Sequence, residues 1–251
     1  MLPRRTLLRA AAAAPLTAVL GCGHAEAAGP VLRTTRHSAA RGRTVDLVVV
    51  RPAGPRTPLP VVLALHGRGA SPRTFLDLGL QRAVDATGTY AVAAVSGGDA
   101  YWHRRGDDDP QAMLEHEVPG WLAELGLGPV RGALGISMGG FGALLWARRT
   151  AHPVAVLSPA LFLDWGQARA RHAFSSQADW EAAEPLRHLP ALHGHGLGVW
   201  CGAQDPFAPA ARRLAHGTHA AVASFGPGAH DAAFWGAELP TAARFLASRV
   251  A

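Results

Sequence analysis

The stretch from Val130 to Arg149 restricts this chain more than any other. A short apolar run ends at Gly135. A serine follows with glycine two positions before it and two after it, and then comes an Ala- and Leu-rich segment, Ala143 to Arg149, that reads as helix. Gly-x-Ser-x-Gly between a strand and a helix is a turn so tight that the serine backbone is strained. The neighbours at minus two and plus two must lack a β-carbon, or they would clash across it. Such a turn points the Ser137 hydroxyl out at the carboxyl end of a sheet. It also aims the N–H of Met138 into the same space, beside the positive end of the new helix. Gly140 and Gly142 are expected to let that helix lie close to the sheet.

The rest of the chain supplies the sheet. Val31 to His37 and Thr44 to Arg51 read as strands, and Pro60 to Leu65 is a fully apolar strand of the kind buried on both faces. Tyr90 to Val95, Val154 to Leu157, Leu197 to Cys201 and Ala220 to Phe225 continue the series. Helices are expected over Pro72 to Ala86, Gln111 to Leu125 with a kink or a split at Pro119, Pro209 to His216, and Asp231 to the end with Pro240 as a break point. Strands alternating with helices imply an α/β fold with a doubly wound, mostly parallel sheet. Ligands of such sheets sit at the carboxyl ends of the strands. Leu161 to Leu189 is too long for a plain connection. With Trp165, Phe174 and Trp180 among charges, it reads as a small cap over the site, or as a surface helix with its aromatics turned inward.

Ser137, Asp205 and His230 all fall at expected carboxyl ends of strands. A serine hydroxyl needs a base to take its proton as it attacks a carbonyl carbon. His230, on the loop Gly226-Pro227-Gly228-Ala229-His230, is the candidate base, and Asp205 would fix its tautomer and stabilise the imidazolium. The oxyanion needs two N–H donors, assigned to the backbone of Met138 and of Arg68 in His66-Gly67-Arg68-Gly69. His66 is read as a packing residue that shapes this loop. Tyr101, Trp102 and His103 are candidates to line the substrate pocket. Asp164 and Asp179 are assigned surface roles, and Asp231 a place at a helix start, facing away from His230. His193 with His195 and His216 with His219 have spacings open to a metal, but neither pair has a carboxylate or cysteine beside it, so loop histidines are favoured and no metal or cofactor is implied.

Composition narrows the chemistry further. The chain has no lysine, which removes Schiff-base and Ser-Lys chemistry, and no asparagine, which removes N-glycosylation. Residues 1–21 read as an export signal, with Arg4-Arg5 suggesting the twin-arginine type and the run Ala10 to Leu20 too short for a permanent span. Cleavage before Cys22 would leave a lipidated cysteine and a membrane anchor; cleavage after Ala25-Glu26-Ala27 would release a soluble protein. The first is favoured, because Cys22 otherwise lacks a purpose. Residues 22–30 are then a linker and 31–251 the domain, with 161–189 as the cap segment. Loss of Arg4, Arg5 and Arg9 with the leader lowers the formal net charge from +6 to +3. The remaining arginines are scattered, which argues against a nucleic-acid partner. The other cysteine, Cys201, lies in an apolar run and is expected to be buried and inert.

Taken together, the chain resembles the α/β-hydrolase superfamily. More narrowly, it is similar to the Putative esterase family, which includes esterase D-type enzymes and the mycolyltransferases of the antigen eighty-five complex. The resemblance rests on His66-Gly67-Arg68-Gly69, the Gly135 to Gly139 elbow, Ser158-Pro159, Asp205-Pro206 and His230, and spans residue 31 to the end. Mycolyltransferases use a glutamate where Asp205 stands, which argues against transfer of long mycolic acids. The resemblance implies an exported serine hydrolase that cleaves small-molecule or lipid esters through an acyl-enzyme. An acyltransferase passing the acyl group to a sugar or lipid alcohol is the alternative reading, and a catalytically silent, ligand-binding surface lipoprotein the third.

Overall fold

The computed structural model describes residues 30–54 and 58–250. The expected export signal, Cys22 and the linker lie outside them. The element that organises the chain is an eight-stranded sheet in the order β1-β2-β4-β3-β5-β6-β7-β8. Its strands are β1 (Val31–Ser38), β2 (Arg43–Val50), β3 (Val61–Leu65), β4 (Ala91–Val95), β5 (Val130–Ile136), β6 (Val154–Leu157), β7 (Leu197–Trp200) and β8 (Val222–Ser224). The first two pairings, β1 with β2 and β2 with β4, are antiparallel, and all the others are parallel. This is the expected α/β architecture.

The central strands are apolar throughout because each pleat face has its own helical layer. Leu63, Leu65, Ala133, Val156 and Val199 face one core with Phe141, Leu144 and Trp180. Val62, Ala64, Leu134, Ala155 and Leu157 face the other, against Val84, Leu239 and Leu246. Alternation thus survives inside runs that look unpatterned.

Glycine and proline decide where the helices change course. The segment expected as one helix from Pro72 is two, α1 (Thr74–Asp77) and α2 (Leu80–Thr87), parted by Gly79 at φ 87°. The next begins as α3 (Pro110–Ala112), widens into a π turn at Met113–Glu117, and continues as α4 (Val118–Glu124). Pro119 has no N–H to donate, and the wide turn draws the carbonyls away from its ring. The elbow helix is α5 (Met138–Thr150). The segment 161–189 forms α6 (Trp165–Arg169), α7 (Gln177–Ala183) and a 3-10 turn at Pro185–Arg187. Two further helices, α8 (Ala208–Gly217) and α9 (Ala232–Val250), complete the chain. Pro240 does not break α9, against expectation. Leu239, Ala242, Ala243 and Leu246 are buried around it, and that packing outweighs the lost hydrogen bond.

Residues 161–189 turn their aromatics inward. Trp180 is fully buried, and Phe174 joins Tyr101, Phe141 and Phe162 in one aromatic cluster. Glu184, also fully buried, ties the segment together. One carboxylate oxygen accepts from the N–H of Phe162 (3.1 Å) and the indole N–H of Trp180 (3.0 Å), and the other accepts from the N–H of Leu186 (3.2 Å). Burial pushes the Glu184 carboxyl up to about 7, against those hydrogen bonds and the nearby Arg187. A carboxyl raised in the folded state above its unfolded value near 4.3 imposes no penalty below that value. It costs stability as pH climbs toward the folded value. In urea unfolding at pH 5 and pH 8, the wild type is expected to lose roughly 2 kcal/mol relative to Glu184→Gln between the two conditions. A difference independent of pH would show that this carboxyl titrates normally.

Candidate active site

Ser137 sits between β5 and α5 with φ 55° and ψ −120°, a region that side chains rarely occupy. Its N–H donates to the carbonyl of Leu157 on β6 (2.9 Å), and its own carbonyl accepts from Gly140 (2.9 Å) and Ala160 (3.0 Å). The flanking glycines are obligatory, Gly135 for the clash across the turn read from the sequence and Gly139 because of the neighbouring strand. A Cβ on Gly135 would overlap the carbonyl of Gly139, and one on Gly139 would overlap the carbonyl of Leu65 on β3. Gly140 meets Pro159 instead. Gly142 admits the Trp102 ring rather than the sheet, which corrects the expected role of that pair.

The loops that leave the carboxyl ends of β7 and β8 converge on this serine. The hydroxyl of Ser137 lies 2.9 Å from Nε2 of His230, whose Nδ1 lies 2.8 Å from Oδ2 of Asp205. The loops are laced together: Ala203 N–H donates to Gly226 (2.8 Å), Gln204 N–H to Gly228 (2.9 Å), and Gly228 N–H returns to the Gln204 side chain (2.8 Å). A Cβ on Gly202 would strike the carbonyl of Gly228, so this approach needs glycine. Burial alone would raise Asp205. Hydrogen bonds from His230 and from the N–H of Phe207 (2.8 Å), with Ser158 alongside, outweigh it and hold the carboxyl below its ordinary range. An ionised Asp205 favours a proton on Nδ1 and leaves Nε2 to accept from the serine. The imidazole packs between Phe207 and Trp235, each with ring centroids 5.1 Å away. Neither residue had a signal in the sequence beyond its place near Asp205 or Asp231.

The loop after β3 closes the other side. A Cβ on Gly67 would lie 3.4 Å from the Ser137 Cβ and 3.9 Å from its hydroxyl, so Arg68 begins beside Ser137. Among the described residues, the N–H groups of Arg68 and Met138 have no protein acceptor. His66 is buried and neutral in tendency, its pKa lowered first by desolvation. Its Nε2 accepts from the Gly97 N–H (3.0 Å) and its ring packs against Trp102. It shapes the loop, as read.

Of the three aromatic candidates, Tyr101 packs on Phe162, a wall of the pocket beside Phe207. Trp102 is fully buried, its indole N–H donating to the His66 carbonyl (3.2 Å), and serves as the floor of the loop. His103 turns the other way, stacking on Phe174 and bonding the Ala173 carbonyl (2.9 Å). It lines a separate pocket of about 450 Å³ with Arg148 and Arg149, about three turns along α5 from Ser137. The pocket next to the triad is smaller, about 290 Å³, with Leu161, Phe162, Arg171 and Phe207 among its walls. Asp164 and Asp231 cap helices through the N–H groups of Gln167 and Phe234, and Asp179 binds the N–H of Ser175. Cys201 is buried, and burial pushes its thiol up to about 12, beyond any nucleophilic use at neutral pH.

Comparison with known proteins agrees with this geometry. The family model described as Putative esterase matches residues 38–246. The chain belongs to this family. As a Putative esterase, it is a carboxylic ester hydrolase with the α/β-hydrolase fold. No curated protein sequence matches it. Among solved structures, it is similar to an S-formylglutathione hydrolase from Agrobacterium tumefaciens, at TM-score 0.74 and 15% identity, over 88% of this chain and 95% of that one. A ferulic acid esterase gives TM-score 0.71 and 17% identity over 86% and 98%. The fluorophosphonate-binding serine hydrolase F of Staphylococcus aureus gives 0.67 and 20% over 87% and 99%.

The contact of Gly139 with β3 predicts an all-or-none outcome. Gly139→Ala is expected to abolish esterase activity and lower the Tm by several degrees, because backbone carbonyls cannot yield as a side chain would. A fully active variant of unchanged Tm, measured by calorimetry, would contradict the packing described.

Proposed function

We propose that this esterase cleaves its substrate through an acyl-enzyme formed on Ser137. His230 takes the hydroxyl proton as oxygen attacks the ester carbonyl, then gives it to the departing alcohol. Asp205 holds the ring and stabilises its positive charge. The N–H groups of Met138 and Arg68 receive the oxyanion, each contributing about two to three powers of ten in rate. Water then repeats the sequence and releases the acid. The observation that carries this reading is the unbroken chain of short contacts from Asp205 through His230 to Ser137. We assign the 161–189 segment the role of a fixed cap, because Leu161, Phe162 and Arg171 wall the pocket beside the triad.

Turnover of 4-nitrophenyl acetate should fall at least a thousandfold in Ser137→Ala. A fluorophosphonate probe should add once to the wild type and not to that variant. Free acid should dominate the products even with an added alcohol acceptor. Retained activity would mean another nucleophile. An unlabelled, inactive wild type would favour the ligand-binding lipoprotein, and ester product would favour the acyltransferase.

The N-terminal pattern supports export, either to the cell envelope on a lipidated Cys22 or as a secreted protein. Mass spectrometry of the mature protein is expected to find acylated Cys22 as the first residue. A start at Ala28 without lipid would replace the anchored form with the secreted one.

A further inference from the structure

Tyr101 is 3% exposed, yet no protein group bonds its hydroxyl among the described residues, and that oxygen is not one of the sealed polar atoms. A buried phenol without a partner is unusual unless it serves an opening. Its backbone is also unusual. Tyr101 and Trp102 are consecutive left-handed residues, at φ 57° and 59°, neither of them glycine. Such conformations persist where the surrounding fold requires them, and often at functional sites. Here the Tyr101 ring is wedged against Phe141, one turn into α5 from Ser137, and against Phe162 and Phe174.

Arg171 walls the pocket together with Phe162, on which the Tyr101 ring packs. Burial raises the Tyr101 phenol, which keeps it a donor at neutral pH; Arg171 and then Arg68 pull against the shift, and the buried Glu184 adds to it. Arg68 begins beside Ser137, as the Gly67 contact shows. Arg171 lies over the face of Phe207, 5.3 Å from the ring centroid, and Phe207 packs on His230. Neither arginine forms an ion pair among the described residues. The acids near them are committed elsewhere: Asp99 to the Gly69 N–H, Asp164 and Asp231 to helix starts, Asp205 to His230, and Glu184 to its three N–H donors. Around Ser137 and its pocket there are thus, among the described residues, a phenol without a bonded partner and two arginines without an ion pair, one in the pocket wall and one starting beside the serine.

We infer that this cluster of Tyr101, Arg68 and Arg171 binds a carboxylate carried by the ester substrate, so that the enzyme selects negatively charged esters over neutral ones. The inference rests on the hydrolase reading above. A guanidinium receives a carboxylate through paired N–H donors, and a phenol adds a third. The nucleophile needs no such cluster, because the charge that develops during attack is met by backbone N–H groups on the other side of the carbonyl.

The test compares esters matched in shape and differing in charge. For the acyl half, these are 4-nitrophenyl hydrogen adipate and 4-nitrophenyl adipamate. For the alcohol half, they are 3-carboxyphenyl acetate and 3-carbamoylphenyl acetate. In at least one pair, kcat/KM of the wild type is expected to favour the carboxylate at least fivefold, and the ratio should shrink in 0.5 M NaCl because exposed charges are screened. Arg171→Met should bring that ratio down at least threefold, whereas Arg171→Lys should retain most of it. Arg68→Met should lower it too, read as a ratio because its backbone belongs to the site. Ratios near one in both pairs, with the carboxamide esters turned over normally, would overturn the inference and leave the hydrolase intact. A preference untouched by both methionine variants would overturn it as well. Failure of all four esters would count against the hydrolase reading itself.

Discussion

The backbone of Ser137 is the constraint on which the rest depends. A residue at φ 55° and ψ −120° costs on the order of 1–3 kcal/mol and does not stay there unaided. Three strands hold it. β5 delivers it, β6 takes its N–H through Leu157, and β3 lies so close beneath Gly139 that no side chain fits between. The Ser137 carbonyl, turned inward by the same strain, is occupied by Gly140 and Ala160. The strain is therefore spread over a parallel sheet whose central strands are buried on both faces. A hydroxyl placed by such a frame does not wander, and this is what proximity catalysis needs.

The two ends of the relay are treated differently. The Asp205 side chain is fully sealed and ionised, while that of His230 is 23% exposed, its ring tilted against Phe207 and perpendicular to Trp235. A sealed carboxylate keeps its field undiluted by water. The imidazole must meet a substrate, so it stands at the boundary.

Most of this was readable from residue order. Gly135 and Gly139 around Ser137, the apolar block of β3, and the Gly-rich loop before His230 each have one dominant physical explanation, and all three sit where they were read. Helix ends were less legible. Gly79 and Pro119 changed the course of two helices and Pro240 did not, because the outcome depends on what packs around each residue rather than on the residue. Trp102 and His103 show the limit more clearly. They share a loop with Tyr101, but successive residues point to different sides, and only the folded backbone decides which side is the site. Glu184, Phe207 and Trp235 gave no signal because nothing local marks a side chain whose partner is distant in sequence. The N-terminal expectations lie outside the described residues.

The lacing of the loop after β7 to the loop before α9 has a consequence for how the molecule comes to life. Ser137 and His230 are separated by 93 positions, and the histidine loop follows β8, the last strand, on the outer edge of the sheet. A ribosome must release the chain through His230 before the contact with Ser137 can close. Contacts so remote in sequence are costly to form early, since a large loop must be closed first. By the same logic, peeling of that edge strand would silence the enzyme while its central strands still held.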